Sequence, residues 1–483
     1  MARKQLIARI ALYVTTAVCM LSNHTYALSS LSKNDPYPMF TAMDPQEFLY
    51  TQEKQKLKGL ISEQYFFKER ASLSISPFGQ NANRGRNFCG DKYVGGKIVE
   101  LGDIMGRWGM IPLLFGELPE GKVLPPTLQA ARDALFPGVV GPIDDVQAID
   151  AEQLFGYFSI PLKYRKYGLR FEMNARLTDD WGLNVQLGIS DISQCLVLTD
   201  SAGGVQGFKD LSAASKNLSD GSTPAEQFFN CTDISLKEVQ VYLMHQMKNI
   251  TEELGINICD FDEISVEELR FQLFWRHAFQ VNFGADNWPQ FLAIPYLEFG
   301  GSVSPGKTMD PSFAFSLPFG NNGFYATGFT TGINFDFVET IEVGAEVGFT
   351  HFFERDIKNM RIPNYECQSG IFPFTTNAKV SPGNNWQFAA KLAAYHFMDK
   401  LSFWSQYVMV DHQADSITLQ CPDPAFKPEA LAKKTKFSSK LANVAFTYDF
   451  SPHISVGFLW QAPLAQRGTY RSTTVLFTVF GVF

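Results

Sequence analysis

The sequence predicts an all-β fold: a transmembrane, antiparallel up-and-down β-barrel of 12 to 14 strands, with helical insertions and long external loops. Three observations carry this expectation. Hydrophobic residues make up 45% of the 483 positions, yet mean hydropathy is slightly negative, so the apolar residues are dispersed rather than blocked. Apolar and polar residues alternate with period two in segment after segment. Aromatics are abundant, with 44 Phe and 17 Tyr, which suits a sheet that presents rings to lipid and to both membrane interfaces.

Residues 1–27 read as a secretory signal. Arg3, Lys4 and Arg9 form a basic start, Ile10 to Leu21 an apolar stretch, and Thr25-Tyr26-Ala27 a small-x-Ala cleavage site. The stretch is short for a membrane-spanning helix of ~20 residues. Cys19 follows the bulky Val18, which argues against a lipoprotein site. Beyond the leader no segment is long and apolar enough to cross a membrane as a helix. Any crossing must therefore use strands that close on themselves, because lipid cannot satisfy an open sheet edge.

Residues 28–68 precede the barrel as a periplasmic or plug segment. Over 44–63 a helix is expected, with Asp44 as cap, Pro45 at the first helical position and Glu47 completing a capping box. Phe48, Leu57, Leu60 and Ile61 would form its apolar face.

The barrel itself is expected over 69–483. In Ile341–Phe349, Ile341, Val343, Ala345, Val347 and Phe349 alternate with Glu342, Gly344, Glu346 and Gly348. Leu169–Leu177, Leu183–Ile189 and Ile454–Trp460 repeat the pattern. With 69–77, 153–165, 168–178, 181–192, 267–283, 289–303, 322–336, 338–352, 384–397, 400–414, 438–449, 452–463 and 469–483, the candidates number thirteen. Bacterial single-chain barrels have an even number, so one strand is missing or one is spurious. Short turns at 178–180, 398–400 and 449–451 alternate with long segments at 304–321, 353–384 and 415–437. The alternation fails at 166–167, which is short where a long loop is needed.

Two insertions interrupt the strands. Residues 79–152, rich in Gly and Pro, match neither Gly-x-Gly-x-x-Gly nor a phosphate loop, and read as a plug or cap. Within the helical loop 193–266, Ser235 and Glu238 make a capping box and Gly255 a stop. Val239, Leu243, Met247, Ile250 and Leu254 supply an apolar face at helical spacing.

The chain end carries a resemblance. Phe483, with Val475, Phe477 and Val479 on its own face of the last strand, resembles the C-terminal assembly signal of bacterial outer-membrane β-barrel proteins, a porin-like structural class. The resemblance covers roughly residues 69–483 and implies the bacterial cell outer membrane as location. It also implies outer-membrane lipid and the barrel-assembly machinery as partners. Gly481 interrupts the row, while Phe480 and Val482 make the opposite face apolar, so a dry, packed lumen is expected near that end.

The net charge of −8 disfavours a nucleic-acid partner. Outside the leader, Cys89, Cys195, Cys231, Cys259, Cys367 and Cys421 form an even set, compatible with up to three disulfides in an oxidising compartment. Neither the cysteines nor the histidines show a metal-binding spacing, and no Gly-x-Ser-x-Gly elbow occurs. The dipeptide Asp411-His412 is the sole, weak hint of a hydrolase. No cofactor, metal or enzymatic activity is expected.

Charge on the polar strand phases points to the function. Lys163, Arg165, Arg170, Arg176, Arg270 and Arg276, with Glu172 among them, would form a basic arc. Glu298, Asp336, Glu342 and Glu346 would form an adjoining acidic arc. Such a lumen suits a porin-like channel for small polar solutes, with a homotrimer open as the oligomeric state. The alternative is a structural or surface-interaction barrel of adhesin type, in which those charges pair and seal the lumen and the loops do the work.

Overall fold

The computed structural model describes residues 32–57, 69–87, 98–104, 111–136, 138, 160–197, 239, 242–243, 245–258, 260–283, 289–337, 341–366, 368 and 370–483. The signal region 1–27 and Cys89, Cys231, Cys259 and Cys367 lie outside them.

Twelve antiparallel strands form one closed barrel. In chain order these are β1 (Ala71–Ala82), β2 (Leu162–Arg176), β3 (Trp181–Leu196), β4 (Phe261–Arg276), β5 (Pro289–Val303) and β6 (Ala326–Phe337). They continue as β7 (Ile341–Phe352), β8 (Asn385–Met398), β9 (Leu401–His412), β10 (Phe437–Ser451), β11 (Ile454–Arg467) and β12 (Thr473–Val482). Each strand pairs with its chain neighbours, and β12 pairs with β1 (Ile75 opposite Val479) to close the ring. Phe279–Phe283 prolongs β4 alongside β5 after a break at His277-Ala278. Closure leaves no unpaired edge for lipid to meet.

The odd count of thirteen is corrected here. Segments 153–165 and 168–178 are not two strands, because Leu162–Arg176 runs unbroken and pairs with β3 from Leu162 opposite Leu196 to Arg176 opposite Gly182. From sequence, Lys166 and Tyr167 read as a connection between two candidate strands. Their backbone nevertheless stays in the ladder. With that strand merged, short turns and long connections alternate down to the last pair of strands, where β11 and β12 are joined by only 468–472.

Alternation sorts the side chains. Leu73, Ile75, Leu169, Met173, Phe271, Phe299, Phe335, Phe388, Phe458 and Phe477 stand exposed on the outer face, as a lipid-contacting band requires. Trp181, Phe337, Phe397 and Tyr448 ring the short-turn end, and Tyr167, Tyr325, Phe353 and Trp386 the long-loop end. Val475, Phe477, Val479 and Phe483 all belong to this exposed face.

Over the long-loop end the connections fold into a cap with its own apolar core. Helix α2 (Pro126–Leu135) contributes Leu128 and Ala131, and helix α3 (Met247–Glu253) contributes Met247 and Ile250. Val239 and Leu243 are fully buried in the same core. Gly255 ends α3 with φ +64, a left-handed turn that a residue without Cβ adopts freely. Strands Arg355–Ile362, Phe374–Ser381 and Ser416–Leu419 make a small sheet above the barrel. Arg361, 7% exposed, braces the cap by donating to the carbonyls of Leu254 (2.7 Å), Pro311 (3.2 Å) and Phe372 (3.2 Å). Burial lowers its pKa to about 10. Cys195 and Cys421 carry free thiols, so these two do not form a disulfide with each other.

Candidate functional site

Residues 32–57 occupy the barrel interior. At the long-loop end Lys33 donates to the Lys434 carbonyl (2.8 Å) and the Asn34 amide to the Tyr164 hydroxyl (2.7 Å). The chain descends as helix α1 (Pro45–Leu57) and reaches the short-turn end, where the Gln280 amide donates to the Leu57 carbonyl (3.0 Å). Pro45 at its first position fits the helix start expected from sequence. The side chains of Pro45–Phe48, and residues 58–68 with Leu60 and Ile61, are outside the described set. A one-sided apolar face does not describe this helix. Leu49 and Tyr50 are buried beside Phe274, yet Lys54 is equally buried on a polar wall, because the lumen surrounds the helix.

Ion pairs join this plug to the wall. Asp35 binds Arg170 (2.6 Å) and Lys166 (3.1 Å). Glu53 pairs with Arg176. Lys54 lies between Asp336 (2.7 Å) and Glu342 (2.5 Å), and Asp44 meets Lys391 (2.9 Å), which also holds Glu342 (2.7 Å). Rings add to this: Arg176 and Arg276 lie over Tyr50 at 3.7 and 4.1 Å, and Arg170 over Phe78 at 4.1 Å. Plug acids thus answer wall cations, and a plug cation answers wall acids. Breaking one such buried pair costs about 3–5 kcal/mol.

A β-bulge shapes the wall. Between the pairs Leu187–Leu269 and Ile189–Val266, Glu267 and Glu268 together oppose Gly188. Both carboxylates therefore point inward, at 3% and 4% exposure, where strict alternation would send one to lipid. A Cβ on Gly188 would come within 2.3 Å of Glu267 Oε2. The missing side chain lets Arg170, whose cross-strand neighbour is Gly188, reach Glu267 at 3.3 Å.

Nine of the expected lumen residues face inward. Arg170, Glu172, Arg176, Arg276, Asp336 and Glu342 are almost fully buried, and of these Glu172 lines the cavity together with the more open Arg270, Glu298 and Glu346. Lys163 and Arg165 are corrected: they are exposed and share the outward phase of Leu169 and Met173, because the merged strand keeps one register throughout. The residues overlooked are mostly those of the plug, Asp35, Asp44, Glu53 and Lys54, which carry no strand phase to mark them. Lys166 falls in the gap between two candidate strands in the sequence, and the bulge conceals Glu267. Lys391 was legible, since it shares the polar phase of Asn385 and Gln387.

On one side the lumen is dry, as the apolar inner face of the last strand suggested. Ala42 and Met43 of the plug pack against Leu459, Leu476, Phe480 and Val482. On the other side a cavity of ≈ 290 Å³ separates residues 35–44 from the wall of β2–β9. Glu346 lines it, accepting from the hydroxyl of Tyr296 (2.7 Å) and, at longer range, from Gln406 (3.4 Å) and Tyr37 (3.5 Å). His412 is 1% exposed; its ring contacts Asn385 (2.7 Å) and Asp415 (3.0 Å) and stacks on Phe437, so it ties a loop to the rim.

The architecture is a closed twelve-stranded antiparallel barrel with an apolar outer face. No protein-family description and no curated protein matches the chain. Among solved structures, an outer membrane channel from Pseudomonas putida F1 is similar at TM-score 0.43 and 9% identity, over 88% of this chain and 99% of that one. A toluene transporter from Ralstonia pickettii is similar at TM-score 0.30 and 10% identity, over 94% and 99%. The β domain of a Bordetella autotransporter is similar at TM-score 0.31 and 6% identity, over 86% and 100%. Likeness this distant assigns no function.

Proposed function

We propose that this protein is an outer-membrane uptake channel for small polar solutes, closed at rest by residues 32–57 and opened when they shift. The observation that carries the reading is the cavity between plug and wall. Charged and amide side chains and two Tyr hydroxyls share its lining about equally with apolar groups such as Met39, Phe40, Phe274 and Phe349, and its ≈ 290 Å³ sits at the lower edge of the ~300–1,000 Å³ usual for small-molecule sites. A barrel built only to be inert would gain more by filling that space with packed apolar side chains, as the opposite side of the lumen does. Catalysis has no part in this reading.

The seal supports a gated rather than an open pore. Away from the apolar contacts of Ala42, Met43, Leu49 and Tyr50, plug and wall meet through ion pairs and hydrogen bonds, which can be exchanged for other polar partners. A second reading, a closed barrel acting through its surface, draws on the cap and its continuous apolar core. Planar-bilayer recordings of residues 28–483 separate the two. Discrete conductance steps, more frequent in Lys54→Met than in the parent, are expected. A folded barrel in which neither protein ever conducts sinks the channel reading and leaves the surface one.

A further inference from the structure

The charges around the cavity do not balance. Its lining holds seven carboxylates but two cationic side chains. Both cations are already engaged, Lys166 by Asp35 and Glu267, and Arg270 by Glu268. Asp44 is met by Lys391 from just beyond the lining. Of the three others, Glu298 has an interaction of its own, and Glu346 and Glu172 make no salt bridge with any described residue. Among the described residues, Glu346 accepts from the neutral donors of Tyr296, Tyr37 and Gln406. Glu172, 2% exposed, accepts at Oε1 from the Asn184 amide (2.5 Å).

A second observation is independent of charge. Three buried oxygens on the cavity wall, Glu172 Oε2, Asn184 Oδ1 and Glu268 Oε2, accept no hydrogen bond from any described residue. All three are acceptors on the β2–β4 side, whereas across the cavity the indole N–H of Trp404 is a buried donor that meets no described acceptor, so the shortage of donors is confined to the β2–β4 side. An ionised carboxylate in such surroundings is costly unless a cation meets it. A solute carrying an ammonium supplies both deficits, a positive charge and several N–H donors. The rings of Tyr37 and Tyr296 beside Glu346 add faces that attract a cation.

We infer that the cavity is a binding site for a small organic cation of the primary-amine class, with Glu346 and Glu172 as its charge partners. The inference rests on the uptake reading, and narrows the solute from polar to cationic.

Calorimetric titration of the refolded full chain tests it, using n-butylammonium, butyrate and n-butanol as probes of equal length. Saturable butylammonium binding is expected, at least ten-fold tighter than for either other probe. Glu346→Gln should weaken it ten-fold or more, with heat-modifiable gel migration as the check on folding. Glu172→Gln should do likewise, and serves where the first variant does not fold. Absence of saturable butylammonium binding, equal affinity for butyrate, or unchanged affinity in both folded variants overturns the inference. Conductance separates this from the parent reading. Binding without conduction removes transport and keeps the site, whereas conduction without binding removes the site and keeps transport.

Discussion

The ammonium of Lys54 lies 2.7 Å from the carboxylate of Asp336, with the two side chains 3% and 0% exposed. One belongs to the helix inside the lumen and the other to the barrel wall, so their pairing is a latch between two parts of the chain that could separate. Replacing Lys54 by Met should lower stability by about 3–5 kcal/mol, because wall carboxylates keep their burial and lose a counter-charge. Denaturant titration of the detergent-folded protein reads this directly. A change below 1 kcal/mol would mean that the latch contributes nothing.

Selectivity should follow exposure to the cavity rather than charge alone. Glu298 and Arg270 border the cavity, whereas Arg170 is locked between Asp35 and Glu267. In a conducting protein, Glu298→Gln should move the reversal potential in a salt gradient toward anions and Arg270→Gln toward cations. Arg170→Gln should act on folding yield instead. A reversal-potential shift for Arg170→Gln as large as that for Arg270→Gln would place Arg170 in the path.

Lys163 and Arg165 stand on the outer face at the loop end of β2, level with Ser193 and Cys195. Changing both to Ser should leave the reversal potential unaltered. A measurable shift would return them to the lumen and contradict the merged strand.

Gly188 should not tolerate a side chain. Gly188→Ala puts a methyl 2.3 Å from Glu267 Oε2, which displaces that carboxylate from Arg170 and Lys166. Overpacking of this kind costs about 1–3 kcal/mol, readable as a lower temperature of heat modification. Gly188→Ala combined with Glu267→Gln should cost less than the sum of the separate changes, since both act on one contact.

Arg361 should hold the cap without touching the barrel. Arg361→Met removes donors from three carbonyls and should cost about 3 kcal/mol, felt in the cap alone. Limited proteolysis is the check: cuts within 353–384 and 304–325 should appear while the strands stay protected. Equal protection in parent and variant would count against the brace.

Period-two alternation by itself located every strand but β2, which it split in two, and identified the face that meets lipid. It succeeded because a membrane sheet must sort every second side chain to hydrocarbon, as Ile341–Phe349 and Val475–Val479 do. The same rule placed Arg176, Glu298, Asp336, Glu342 and Glu346 inside, and it would have placed Lys391. It failed where the period breaks: at the bulge that turns both Glu267 and Glu268 inward, and at the basic run Lys163–Lys166. Tertiary structure alone decided that the lumen is filled. Asp35, Asp44, Glu53 and Lys54 lie far in sequence from Arg170, Lys391, Arg176 and Asp336, and a short polar helix carries no mark of the wall it will meet. The charges on the strands were legible one by one, but their partners come from a segment outside the alternation. Only closure of the ring around that segment turned two opposed arcs into a latch with a cavity beside it.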